Sequence, residues 1–174
     1  MKKIVFALSI MILFTNLKAQ TMQNTKELSD RIQVIEDKMS IKNLVDTFSV
    51  LADQKETQKQ TLLFTENASV ESRVNGQPGM TLTGRKQIGD AFSSYLSLFE
   101  TVYHINGQQT IELKENTASA TSYCMVILIG MEDGKKIKTT MGVYYYDEFV
   151  KENGCWLITK RTSNFIWQEK EEVE

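Results

Sequence analysis

The sequence predicts an α+β domain, with helices towards the N-terminus packed on one curved antiparallel sheet. Apolar stripes at helical spacing within the first hundred residues are one observation behind this. Four dipeptides with hairpin-turn chemistry are another: Asn75-Gly76, Asn106-Gly107, Asp133-Gly134 and Asn153-Gly154. Alternation is the third, because Ile137, Met141, Val143, Tyr145 and Phe149 share one side of a strand.

The elements follow in chain order. Met1-Lys2-Lys3 precedes residues 4–14, in which only Ser9 is polar, and a small residue stands at Ala19. A basic start, a short apolar core and a small residue at a cleavage point describe a secretory leader over residues 1–19. As a helix the apolar core reaches about 16 Å, half a bilayer's hydrocarbon, so no stable membrane span is expected. The product would be periplasmic or secreted. Residues 20–34 read as a flexible lead-in or the start of the first helix. Ile41, Leu44, Val45, Phe48, Leu51 and Ala52 then form one face of an amphipathic helix, which Ile32, Ile35 and Met39 extend backwards.

Thr57-Gln58-Lys59-Gln60 has the spacing of a capping box and opens a short second helix. From Gly84 a third helix carries Ile88, Ala91, Phe92, Tyr95, Leu98 and Phe99 on one stripe. Strands are expected at about 70–74, 102–105, 109–115, 117–131, 136–150 and 155–165. Residues 123–129 are apolar on both sides, as in a central strand covered on both faces. One domain is expected over 35–167, followed by a charged, solvated tail at 168–174.

Composition narrows the chemistry. The 174 residues hold 20 basic and 22 acidic side chains, so no global basic field invites nucleic acid. Removing Lys2, Lys3 and Lys18 with the leader leaves 17 basic residues, a net charge of −5. A single His excludes zinc sites built on two imidazoles, and two Cys cannot form a four-thiolate centre; no metal and no organic cofactor is expected. Cys124 and Cys155 read either as a disulfide or as two small buried hydrophobes. Gly79 to Lys86 superficially resembles a phosphate-binding loop but lacks the Gly-Lys-Ser/Thr ending, which leaves a turn entering a helix. Lys135, Lys136 and Lys138 read as a solvated hairpin tip.

Two residues carry a chemical signal. Asp53 follows the apolar stripe of the first helix, where the macrodipole disfavours a carboxylate by a few tenths of a kcal/mol. It is a candidate general base, or an ordinary surface helix end. His104 lies in Val102-Tyr103-His104-Ile105, where it can face a cavity as acid or base, or pack in the sheet with one hydrogen bond.

The helix ending at Asp53, then Leu63-Phe64-Thr65-Glu66-Asn67-Ala68, Gly84-Arg85-Lys86-Gln87-Ile88 and His104-Ile105-Asn106-Gly107, resemble one family in order and spacing. Gly142-Val143-Tyr144-Tyr145-Tyr146-Asp147 and the run from Gly154 to Arg161 extend the match. The family is the SnoaL-like branch of the nuclear transport factor 2-like superfamily. That resemblance implies a cone-shaped α+β barrel, three helices against a strongly bent antiparallel sheet, with an apolar pocket inside. Its members include scytalone dehydratase, bile-acid dehydratase, polyketide cyclases, ketosteroid isomerase relatives and many non-catalytic binding modules. It implies Asp53 and His104 as the proton-handling pair. Phe48, Phe64 and Phe92 would wall the pocket from one side, and Tyr103, Ile127, Ile129, Met141 and Tyr145 from the sheet. Trp156 would anchor the core or a dimer face, and Arg161 could pair with a carboxylate at the sheet surface.

The sequence departs from the dehydratase pattern at two places. Phe48 stands where some relatives carry a Tyr, and residues 126–129 are apolar where dehydratases place a second His or an Asp. The expectation is an exported protein that binds a small, largely apolar ligand, with Asp53/His104 proton transfer of lyase, isomerase or cyclase type. The alternative is a non-catalytic ligand-binding or dimerisation module. A homodimer through the outer sheet face fits both.

Overall fold

The computed structural model describes the backbone of residues 2–174 and the side chains from residue 20 onwards. The leader expected at residues 1–19 lies outside the residues described with their side chains. The chain divides into two compact units, Met1–Asp37 and Lys38–Glu174. In the first, residues 20–37 belong to helix α1 (Lys2–Asp53) and are almost wholly exposed, Ile32 and Ile35 included. Among the described residues no helix is long and apolar enough to cross a membrane.

The second unit is an α+β cone. There α1 buries Ile41, Leu44, Val45, Phe48 and Ala52, the stripe that its spacing predicts. Helix α2 (Thr57–Thr61) is short, and the anticipated capping box does not form. Glu56 is the N-cap without a side-chain bond, and the Gln60 amide donates instead to the Phe48 carbonyl at 3.0 Å. The buried Gln60 amide nitrogen is satisfied by a carbonyl of the neighbouring helix and does not turn back to the start of its own. Strands β1 (Phe64–Val74) and β2 (Gln77–Thr83) precede α3 (Arg85–Leu96), and four long strands follow: β3 (Phe99–Lys114), β4 (Thr117–Glu132), β5 (Lys135–Glu152) and β6 (Cys155–Glu172). Gly84, at φ +81°, makes the sharp entry to α3 that a side chain would strain.

The sheet runs β2-β1-β6-β5-β4-β3. Its neighbours are antiparallel except β1 and β6, which pair in parallel. Turn dipeptides report only strands adjacent in sequence, and no turn joins β1 to β6. The residues before Gly84, read as a turn, form β2. It is an edge strand in which Pro78 and Gly79 lower strand propensity and only Leu82 is buried.

Asn106-Gly107 makes no turn. The register of β3 against β4 shifts between Asn106 and Gln109, so the pair sits at an irregularity inside one long strand. The Asn106 amide is occupied by α1, donating to Asp46 Oδ1 at 2.9 Å and accepting from Ser49 Oγ at 3.0 Å. The hairpin lies instead at Glu115-Asn116, with Glu115 at φ +51°.

The expected tail stays exposed but continues β6 to Glu172, in register with β5. Lys135 pairs with Glu172, Lys138 with Glu171 and Lys170 with Glu132, so the basic hairpin tip and the acidic end of the chain complement one another. Cys124 is buried and Cys155 exposed, and both are free, so neither a disulfide nor two buried thiols is found.

Candidate functional site

Between α1, α3 and the concave side of the sheet lies a cavity of about 140 Å³. Four of the residues expected at a pocket reach its wall: Phe48, Phe92, Met141 and Tyr145. The other four do not. Phe64 is fully buried behind them, with its ring edge-on to Phe48 at 6.0 Å and to Phe92 at 6.4 Å. Tyr103, Ile127 and Ile129 point to the opposite face of the sheet, and their neighbours Val126 and Leu128 take the wall.

Strand geometry explains the exchange. Side chains alternate, so His104 facing inward forces Tyr103 outward, where it is 52% exposed. His104 is the cross-strand partner of Val126, which puts Val126 on the same face and Ile127 on the other. Hydrophobicity could not choose between the two sides of β4, because both are apolar. On the outer side Tyr123 and Met125 are exposed.

Asp53 and His104 meet. His104 Nδ1 lies 2.6 Å from Asp53 Oδ1, and the His104 backbone N–H donates to Oδ2 at 3.3 Å. The carboxylate thus grips ring and main chain together. The chain reverses just after Asp53, where Lys55 adopts φ +57° and its ammonium donates to the Phe99 carbonyl at the start of β3. That tie holds the end of α1 against the strand bearing His104. With Nδ1 turned to an acceptor-only carboxylate, Nδ1 carries the proton and Nε2 is the basic nitrogen of a ring that lines the cavity. The His104 side chain is 7% exposed and that of Asp53 24%.

Gln60 is a site residue that the sequence reading assigned to a cap. It is 1% exposed and lines the cavity. Its Nε2 is committed to Phe48, and its Oε1 is buried without a hydrogen-bond partner among the described residues. The amide cannot be reversed, because two carbonyl oxygens would then face each other. Tyr145 and Ser163 add hydroxyl-bearing side chains to the wall. Burial pushes the Tyr145 phenol well above its usual range, so it stays a neutral donor.

Behind the wall, Arg161 and Asp147 form a closed pair rather than one at the sheet surface. Arg161 Nε and Nη2 donate to the two Asp147 oxygens, each at 2.7 Å, and both side chains are buried. The guanidinium lies 4.0 Å from the Phe48 ring centroid and 4.4 Å from that of Tyr145. It therefore braces two wall residues by cation–π contact. Trp156 is buried in the core. Among the described residues no group of three or more His, Cys, Asp and Glu side chains could hold a metal ion.

An uncharacterized protein of Mycobacterium tuberculosis is 25% identical over 150 residues, covering 86% of this chain and 94% of its own. Among solved structures, a protein of Novosphingobium aromaticivorans provisionally assigned as a scytalone dehydratase superposes with a TM-score of 0.70 at 19% identity, covering 80% of this chain and 91% of that one. A hexachlorocyclohexane dehydrochlorinase, LinA type 2, gives 0.66 at 13% identity, covering 80% and 90%. At these identities the likeness is one of fold. The SnoaL-like domain matches residues 33–162, three quarters of the sequence, and with the cone, the mixed sheet and the helix order already described, the chain belongs to the SnoaL-like domain family.

Proposed function

We propose that the chain is an exported SnoaL-like protein that holds a small, largely apolar molecule in its cone and moves a proton on it through Asp53 and His104. The observation that carries this reading is the 2.6 Å contact between the two side chains at the wall of an apolar cavity. Asp53 sets the tautomer and orientation of the ring, and Nε2 removes a proton from bound ligand and returns it elsewhere. Elimination, isomerisation and aldol-type cyclisation each need only such a shuttle. The related fold of a dehydrochlorinase and of a dehydratase-like protein is compatible with that class. The exposed Tyr103, Tyr123 and Met125 of β3 and β4 support a homodimer through the outer sheet face.

A second reading, ligand binding without chemistry, is favoured by the wall beside His104. Val126 and Leu128 offer no third polar group, and Phe48 no hydroxyl. Deuterium exchange separates the two. Incubated in D₂O with the hydrophobic ketone 4-phenylcyclohexanone, the protein should label the α-carbons faster than buffer, and His104→Ala should return the rate to background. Binding of the ketone with background exchange in the native protein would establish the non-catalytic reading.

A further inference from the structure

The inner cavity is too small for the whole of an ordinary ligand. At about 140 Å³ it is comparable to a cavity that takes one benzene ring, whereas sites for drug-sized molecules run from about 300 to 1,000 Å³. Alongside it, α3 and the β1–β2 hairpin enclose a second hollow of about 700 Å³. The two share Phe92, Tyr95, Ser163 and Phe165 as walls, so they are neighbouring compartments divided by those side chains.

Their chemistry differs. The inner compartment alone holds an imidazole and an amide: His104, and Gln60, whose Oε1 has no hydrogen-bond partner among the described residues. A buried carbonyl oxygen without a partner costs about 1–3 kcal/mol unless a ligand donor reaches it. The outer compartment is largely apolar and lacks a charged or amide side chain: Ser72 and Ser94 are its own polar residues, Leu82 is buried at its base, and Met80 and Leu98 are exposed at its rim.

We propose that one ligand spans both compartments: a single-ring head bearing a hydroxyl or N–H donor in the inner one, and an extended apolar body in the groove between α3 and β2. This rests on the inner cavity being the ligand site. The occupant of the groove is the far end of the same molecule, since only the side chains of Phe92, Tyr95, Ser163 and Phe165, which need only turn aside, are shared between the two compartments.

The probe is a series of 4-alkylphenols from methyl to hexyl, titrated into tag-free full-length protein. The chain has one His, so a single imidazole resonance reports the inner compartment directly. Each member should shift that resonance, and Kd should fall about twofold or more per added methylene, against about fourfold for complete burial. In Leu98→Glu, a rim change that leaves the core intact, the resonance should still shift while the dependence on chain length flattens. A native series that shifts the resonance with no dependence on chain length would overturn the groove and leave the inner site standing. So would a chain-length dependence unchanged in Leu98→Glu. If no member moved the His104 resonance, the inner site would fall, and the spanning ligand with it.

Discussion

Two acid–base pairs stand within one cone and are put to opposite uses. Asp147 and Arg161 face each other across β5 and β6, bidentate, both sealed from solvent. Asp53 and His104 join the end of α1 to β3 through one short contact, and the ring borders an open space. In the first pair both carboxylate oxygens are spent on a guanidinium that keeps its protons, and its Nη1 is buried without a hydrogen-bond partner among the described residues. In the second, the carboxylate occupies one ring nitrogen and thereby defines the other. The same charge chemistry gives structure where a guanidinium is sealed behind the wall and an acid–base group where an imidazole borders the cavity.

Breaking the closed pair should have the largest effect. Asp147→Asn or Arg161→Ala strands a buried partner and should cost about 3–5 kcal/mol in urea unfolding. Loss of the Arg161 brace should also loosen Phe48 and Tyr145, so ligand binding would weaken together with stability. The double change Asp147→Leu/Arg161→Met removes both charges and should recover most of the loss. If either single variant proved as stable as native, the pair would not be the structural element described here.

Breaking the open pair should do the reverse. His104→Ala should lower stability by only about 1 kcal/mol, the scale of one hydrogen bond, while reducing α-deuteration about a hundredfold, at the low end for general acid–base catalysis. Asp53→Asn keeps the shape and removes the charge, so it should lose exchange with little loss of ketone affinity. Equal losses of binding and exchange in both variants would mean that the dyad only shapes the cavity.

These two pairs were unequally legible in the sequence. Asp53 could be singled out because a carboxylate at a helix C-terminus runs against the dipole, and His104 because it was alone. Arg161 and Asp147 were both visible, but burial is a property of the assembled sheet, and the sequence placed Arg161 at the surface. The register of a strand apolar on both sides was equally hidden, which is why Ile127 and Ile129 stood in for Val126 and Leu128. Strand alternation already separates one pair: Tyr103 and His104 are consecutive, so they cannot both face one cavity. The turns were read correctly wherever Gly followed Asn or Asp between two strands. They failed at Asn106, whose amide found partners on a helix sixty residues away. Gln60 was lost for the same reason, a local motif displaced by a tertiary acceptor.

A smaller effect comes from the thiol beside this wall. Burial pushes Cys124 from about 9 up to about 11. The folded chain therefore keeps its proton through a window in which the unfolded chain has lost it. Stability from this group is complete below about pH 9 and is lost as pH rises towards 11, on the order of 1 kcal/mol. Unfolding measured from pH 8 to 11 should show a decline that Cys124→Ala makes shallower. Iodoacetamide at pH 8 should modify the exposed Cys155 and spare Cys124. Rapid double labelling of the native protein would contradict the burial.

The third setting for the same charges is solvent, at the end of β6. Lys135–Glu172 and Lys170–Glu132 join exposed side chains at 2.6 and 2.7 Å, and Lys138 reaches Glu171. Water and salt screen such pairs, so each should contribute well under 1 kcal/mol, against several for the buried pair. Their effect should be local. Glu171→Gln/Glu172→Gln should leave the unfolding midpoint nearly unchanged but speed amide hydrogen exchange from residue 168 onwards, where β6 pairs with Ile137 to Met141. In 1 M salt the native protein should fray similarly, while Asp147–Arg161, shielded from ions, should not respond. If salt left this segment protected, the backbone ladder alone would hold it, and the lysine–glutamate pairs would have no structural part.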